Sequence, residues 1–424
     1  MDIKTKCVQE GYKPENSQPR VLPIYQSTTY KYDNSDVLGD LFDLKAEGHM
    51  YTRISNPTTD AVEKKIAALE GGVGALCTSS GQAANLIAVT NIAQAGDNII
   101  CNSAIYGGSL NLFAVSLKKW GIETRFISEN STEEEIEALI DDNTKLIYGE
   151  TESNPALEVL DFEKLSKVAH KNGIPLIVDN TFATPIFCRP FELGADIVTH
   201  STSKYMDGHA CVLGGVVVDG GIFDWAASGK FPMMTEPDES FHGIVYTERF
   251  GKAAYINKAR NQLLRDLGCT PTPYSMFILN MNLETLHLRM PCHYNNALTI
   301  AKYLDADERV AWVNFPKLPS SPQYEKAQKY LPEGCSGVIS FGVKGGREAA
   351  VKFMDSLKLI NIVVHVADAR SSVIHPASTT HRQLTDEQLI AAGVGADLIR
   401  MSVGIEDVND LIKDIDRALN IACK

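Results

Sequence analysis

No apolar run in this chain reaches the roughly 18 residues that a membrane-crossing helix needs; polar or charged side chains interrupt every such stretch sooner. The opening Met1-Asp2-Ile3-Lys4-Thr5-Lys6 lacks the apolar core of a secretion signal. Excess positive charge is also missing. Lys and Arg total 40 against 53 Asp and Glu, and the net charge of −13 argues against nucleic acid or an anionic membrane as the main partner. The nine cysteines include no C-x-x-C pair, so neither a disulfide framework nor a zinc ribbon is expected, and a reducing cytoplasm is the simplest compartment. Scattered histidines without H-E-x-x-H leave a metal site unsupported, and G-x-S-x-G is absent. Gly72-Val73-Gly74 lacks the third small residue of a dinucleotide fingerprint, and Gly229-Lys230 lacks the rest of a phosphate-binding P-loop.

What is present is an ordinary globular composition, 44% hydrophobic over 424 residues, long enough for two or three domains. Residues 1–60 show little periodicity and carry Pro14, Pro19, Pro23 and Pro57 among the tyrosines Tyr25, Tyr30, Tyr32 and Tyr51. So long an irregular arm is expected to be functional or to pack on a partner. From residue 61 helical and strand patterns alternate. Helices are expected over 60–70 and 80–89, and another from Ser131, with capping-box spacing to Glu134 or from Thr132 to Glu135. Strands are expected at 75–78, 97–101, 145–150, 175–179 and 196–200. This alternation predicts an α/β fold with a mostly parallel sheet covered on both faces by helices. A linker at 265–273 then leads to a smaller α+β region, with helices around 275–305, 346–357, 386–392 and 407–421 and strands at 337–342 and 398–403. The expected division is an arm 1–60, an α/β domain 61–266 and a C-terminal α+β domain 267–424.

Four segments at strand ends carry chemistry. Ser79-Ser80-Gly81-Gln82 opens a helix after a strand, where backbone N–H groups and the helix dipole suit a phosphate. Asp179 ends an apolar strand, where parallel sheets place ligands, and a carboxylate buried there needs a cationic partner such as a protonated ring nitrogen. In His200-Ser201-Thr202-Ser203-Lys204-Tyr205 an amine stands among hydroxyls past the next strand, suited to a carbonyl cofactor with a phosphate. Tyr106-Gly107-Gly108 offers a ring beside backbone that a flat group can approach. Each has a plainer reading on its own: a strand-to-helix turn, a cap aspartate, a surface lysine, a core tyrosine. Together they match the needs of pyridoxal 5′-phosphate, which couples a lysine to a ring whose protonated nitrogen draws in electrons.

The chain resembles the Cys/Met metabolism family of pyridoxal-phosphate enzymes, fold type I, along nearly its whole length. The resemblance rests on Tyr51-Thr-Arg53-Ile-Ser-Asn-Pro-Thr58, Ser80-Gly81, Tyr106-Gly107, Glu152-Ser-Asn154-Pro155, Asp179-Asn-Thr181, Ser201-Thr-Ser203-Lys204-Tyr205, His375-Pro376-Ala-Ser378 and Arg400-Met-Ser402-Val-Gly404. The block from Phe231-Pro232 to Phe241-His242-Gly243 is similar to the insertion of O-acetylhomoserine sulfhydrylases. The resemblance implies that Lys204 holds the cofactor covalently, that Asp179 pairs with its ring nitrogen and that Tyr106 stacks on the ring. It further implies phosphate contacts from Ser80, Gly81, Gln82, Ser201 and Ser203, and from Tyr51 and Arg53 of a neighbouring subunit. Asn154 and Arg400 would bind the substrate carboxylate, with Asn154 also near the ring, and Tyr51 would assist proton transfer at the leaving group.

The implied reaction is γ-replacement: O-acetyl-L-homoserine plus sulfide, or a small thiol such as methanethiol, gives L-homocysteine, or methionine, and acetate. The implied assembly is a homotetramer of dimers that share active sites. A γ-lyase acting on methionine or cystathionine, or a cystathionine γ-synthase, is the alternative within the family. Gly108 stands where many methionine-cleaving members carry cysteine, and Gln82, usual among sulfhydrylases, where methionine is common in the lyases. Val364-His365-Val366-Ala367-Asp368 has neither the Glu-Ser pair of the cystathionine enzymes nor the asparagine common in sulfhydrylases. A cofactor-binding protein with a dead site, or a metal hydrolase, would need neither Lys204 with Arg400 nor this set of motifs.

Overall fold

A computed structural model describes residues 1–379 and 395–423. Its larger sheet has seven strands: β1 (Gly74–Thr78), β2 (Asn98–Asn102), β3 (Glu123–Ile127), β4 (Thr144–Glu150), β5 (Leu176–Asp179), β6 (Ile197–His200) and β7 (Gly215–Asp219), in the order β1-β7-β6-β5-β4-β2-β3. β6, β5, β4, β2 and β3 run parallel, and β7 lies antiparallel between β1 and β6. Successive strand residues point to opposite faces, and both faces are apolar. Ile147, Val178 and Val198 join one core, whereas Leu146, Tyr148, Ile177 and Ile197 join the other.

The helix Pro57–Glu70 starts earlier than its periodicity indicates, because Asn56 caps it and Pro57 takes the first helical position. Gly71, at φ 87°, ends it in the left-handed region that glycine adopts without strain. At Glu133–Glu137 the capping box uses Thr132 and Glu135 rather than Ser131. β3 escapes a reading for buried strands because its middle residues stay partly exposed at the sheet edge. Within the arm two short helices form, Ile3–Gln9 and Ser35–Phe42, each capped by an acid or amide side chain, Asp2 or Asn34.

The smaller sheet has five strands: β8 (Val310–Asn314), β9 (Val338–Val343), β10 (Asn361–Ile362), β11 (Ser372–Ile374) and β12 (Leu398–Ser402), ordered β10-β11-β12-β9-β8. The span expected as one helix near 275–305 is two, Pro273–Glu284 and Leu286–Asp305. Helices Gly346–Ser356 and Val408–Ala422 pack against each other, while the expected helix at 386–392 lies outside the described residues. The two sheets meet around Lys204. Arg289 donates to the Tyr205 carbonyl at 2.7 Å, and the Tyr205 hydroxyl accepts from the Gly337 N–H at 2.8 Å. All nine cysteines are free. Among the described residues no helix is long and apolar enough to cross a membrane.

Candidate active site

The parallel strands end at one place, β4 at Glu150, β5 at Asp179 and β6 at His200, and a cavity of about 430 Å³ opens beyond them. Ser80, Gly81, Gln82, Ser201 and Ser203 line it, as do Tyr106, Asn154, Asp179, Lys204 and Arg400. These come from both sheets and from segments over 300 residues apart.

Ser80 caps the helix Gly81–Thr90, its hydroxyl accepting from the Ala83 N–H at 3.1 Å. The remaining N–H groups of the first turn, those of Gly81 and Gln82, stand at the cavity end of the helix, an arrangement suited to an anion. A Cβ on Gly81 would stand 2.6 Å from the Ser201 Cβ, so only glycine lets these two segments meet. The Ser203 hydroxyl is engaged with Gly214, accepting from its N–H at 2.9 Å and donating to its carbonyl at 3.2 Å.

Lys204 Nζ lies 3.3 Å from His365 Nδ1. Burial, with Arg400 adding to it, lowers the amine to about 8, so part of it is free base near neutral pH. Asp179 Oδ1 accepts from the Thr181 N–H at 2.9 Å and from the Thr181 hydroxyl, and Oδ2 faces Asn85 Nδ2 at 3.4 Å. That acceptor is therefore held in one orientation. The Tyr106 ring is half exposed, and its N–H donates to Glu150 Oε1 at 2.7 Å. Burial, then the nearby Asp179, push the Glu150 carboxyl well above the usual range, which favours its protonated form.

Arg400 Nη1 donates to Asn154 Oδ1 at 3.0 Å and Nη2 to the Val364 carbonyl at 3.1 Å. Its buried Nε has no partner among the described residues, and burial lowers the group to about 10, still cationic at neutral pH. A fixed, buried guanidinium with an unmatched N–H suits a carboxylate. Tyr51 and Arg53 are not in this cavity. Tyr51 is 44% exposed on the arm, and Arg53 lies over its ring and donates to the Arg265 carbonyl. Cavity residues the sequence reading did not single out include Glu150, Asn85 and Thr181. Glu150 carried a usable signal: like Asp179 it is an acid ending a buried parallel strand, and the two are paired in register. Among the described residues no cluster of His, Cys, Asp or Glu could hold a metal ion.

Fold, lysine and anion cradle together define a class. The chain matches the Cys/Met metabolism PLP-dependent enzyme family over residues 4–420 and belongs to it. It is 46% identical to the homocysteine synthase of Schizosaccharomyces pombe, covering 99% of this chain and 98% of that one. It is 45% identical to O-acetyl-L-homoserine sulfhydrylase 1 of Thermus thermophilus, covering 99% and 100%. A Campylobacter jejuni crystal structure described as an O-acetylhomoserine (thiol)-lyase superposes with TM-score 0.96 at 35% identity, covering 99% of this chain and 100% of that one. That protein carries N'-pyridoxyl-lysine-5'-monophosphate, a lysine joined to the cofactor. The chain is thus an enzyme that uses pyridoxal 5′-phosphate. The residues here fit the group: a partly free lysine amine, a helix start closed to side chains at Gly81, and an oriented carboxylate at Asp179.

Proposed function

We propose that this enzyme replaces the γ-acetoxy group of O-acetyl-L-homoserine with sulfide or a small thiol such as methanethiol, releasing acetate and L-homocysteine or methionine. The single observation that carries the reading is the joining of Lys204, Asp179 and the Arg400–Asn154 clamp in one cavity, since cofactor binding alone does not require a substrate-carboxylate arginine. The sulfhydrylase and homocysteine-synthase relatives support it. So does Gly108, which stands where many methionine-cleaving members carry cysteine: a Cβ there would stand 2.5 Å from Tyr106 Cε1 and 2.8 Å from Gln82 Nε2, so a larger residue would require these two side chains to shift.

When bound, pyridoxal phosphate supplies the aldehyde that captures an amine and a ring that absorbs the charge left on the α-carbon. In this reading Lys204 carries the cofactor, and Asp179, held by Thr181, faces its ring nitrogen. Tyr106 covers the ring. Ser80, Gly81, Gln82, Ser201 and Ser203 surround its phosphate. Arg400 and Asn154 clamp the substrate carboxylate, which fixes the α-C–H bond for proton removal. Lys204, displaced by the substrate amine, removes that proton and later returns one, a role its lowered basicity suits. Tyr51 and Arg53 reach the phosphate of a neighbouring copy, with Tyr51 near the leaving group, in a cytoplasmic homotetramer built from dimers.

Two measurements test this. Incubation with O-acetyl-L-homoserine and sulfide is expected to yield homocysteine, whereas methionine or cystathionine alone is expected to give little 2-oxobutyrate. Lys204→Ala is expected to abolish turnover and the visible absorbance of the bound cofactor. Full activity in that variant would refute the assignment.

A further inference from the structure

The segment that follows β4 meets the smaller sheet at residues 152–156. Glu152 accepts from the Ser336 hydroxyl and N–H, just ahead of β9. The next contacts fall in a row. Arg400 on β12 donates to Asn154 Oδ1 at 3.0 Å, the Ser340 hydroxyl on β9 donates to the Pro155 carbonyl at 2.8 Å, and Asn314 Nδ2 on β8 donates to the Ala156 carbonyl at 2.6 Å. Arg400 pairs in register with Ser340, and Ser340 with Asn314, so the three stand side by side across three strands on one face. Strands lie about 4.8 Å apart and consecutive Cα atoms about 3.8 Å, so a chain crossing them meets about one strand per residue.

Ser340 is the one polar side chain in β9, Val338-Ile339-Ser340-Phe341-Gly342-Val343, and it is buried. A buried hydroxyl needs a partner, and here the partner is the carbonyl next to Asn154. Asn314 commits its amide N–H to the carbonyl one residue further on. Arg400 belongs to the smaller sheet and Asn154 follows a strand of the larger one, so their contact depends on how the two sheets dock. Hydrogen bonds weaken beyond about 3.2 Å, so a shift of about half an ångström between the sheets would loosen it. The two bonds beside it oppose such a shift.

We propose that Ser340 and Asn314 are positioning residues for substrate binding: by holding the carbonyls of Pro155 and Ala156 they set Asn154 at Arg400 and so give the site its grip on an α-carboxylate. The inference rests on the reading of Arg400 and Asn154 as the carboxylate clamp. Neither Ser340 nor Asn314 lines the cavity, so both act through the segment 154–156. The Arg400 guanidinium is anchored at two points, Nη1 on Asn154 and Nη2 on the Val364 carbonyl. Releasing the first anchor lets the plane swing about the second, and a carboxylate then meets a donor group that is no longer oriented.

The test measures the preference for a carboxylate. L-Norleucine and pentylamine share an amine and a butyl chain, and only the first has a carboxylate. The Kd of each is read from the cofactor absorbance of the holoenzyme. Ser340→Ala and Asn314→Ala are each expected to weaken norleucine about threefold to tenfold, the worth of one neutral hydrogen bond, and to leave pentylamine as in the parent. Norleucine bound as tightly as in the parent overturns the proposal. So does equal weakening of both ligands, which is what general loosening of the site would give. Arg400→Ala separates the two claims. Preference lost there but intact in the Ser340 and Asn314 variants overturns this inference alone, whereas preference kept in Arg400→Ala overturns the clamp reading beneath it. Hydrogen exchange in the cofactor-free chain needs no ligand. Amides of residues 156–160 are expected to exchange faster in Ser340→Ala, and unchanged exchange overturns the positioning role whatever the substrate proves to be.

Discussion

A glutamate in water loses its proton near pH 4.3, yet burial pushes Glu152, in the cavity wall, to about 7. Its carboxyl accepts from the Ser336 hydroxyl at 2.5 Å and from the Ser336 N–H at 2.9 Å, and these bonds only partly offset the lost solvation. Between the exposed value of 4.5 and about 7 the folded chain binds more protons here than the unfolded chain. This group's contribution is therefore most favourable below pH 4.5 and declines as pH rises to about 7, by about 3 kcal/mol. Glu152→Gln resembles the protonated form and can bond Ser336 in the same places. It is expected to unfold at a higher temperature than the parent at pH 8 and at nearly the same temperature at pH 4. An equal difference at both pH values would show that Glu152 does not titrate in this range. Lys204 follows the same physics with opposite charge: burial disfavours the ammonium, so labelling of its amine in the cofactor-free chain is expected to rise through pH 8. A midpoint near that of exposed lysines would place the side chain in solvent.

The helix Pro57–Glu70 does more than cover the sheet. Its last residue is fully buried: Glu70 Oε1 accepts from Asn180 Nδ2 at 3.0 Å and lies 2.5 Å from His200 Nε2. Asn180 follows Asp179 and His200 precedes Ser201, so one carboxylate ties together the two strand ends that present the site. Glu70→Ala leaves His200 Nε2 without a partner in the core and Asn180 Nδ2 with only the Cys188 carbonyl, and is expected to cost about 3 kcal/mol in urea unfolding and to loosen cofactor retention. A variant as stable as the parent would show the network to be dispensable. At this scale much was legible in sequence. Leu176-Ile177-Val178-Asp179 reads as a buried strand ending in an acid, and the structure has that strand. β7 was harder: Val216, Val217 and Val218 do not show that the strand runs against β6, because direction depends on the connection and not on composition.

For the whole molecule, the arm packs only in part on its own chain, where Cys7, Leu22 and Leu41 are buried. Tyr51 and Arg53 stay outside the cavity, and Val21, Ile24, Tyr25 and Phe42 are exposed. In a dimer that shares sites, Arg53→Ala with Lys204→Ala, each nearly inactive alone, is expected to regain activity once subunits exchange, because one mixed site then holds both native residues. Failure to complement, with exchange demonstrated, would place the arm's action within its own chain.

The sequence by itself determined the alternating α/β pattern, since strand burial and helix periodicity are local, and the family, since Ser201-Thr-Ser203-Lys204-Tyr205 and its companion motifs are contiguous. Only the tertiary structure decided that His365 faces the Lys204 amine, that Glu150 stands beside Asp179, and that the Tyr106 and Gln82 side chains lie against Gly108. Those relations join residues up to 161 positions apart. The first depends on how the two sheets dock and the other two on which strands and helices lie side by side in the larger one, and neither spacing nor composition encodes that directly.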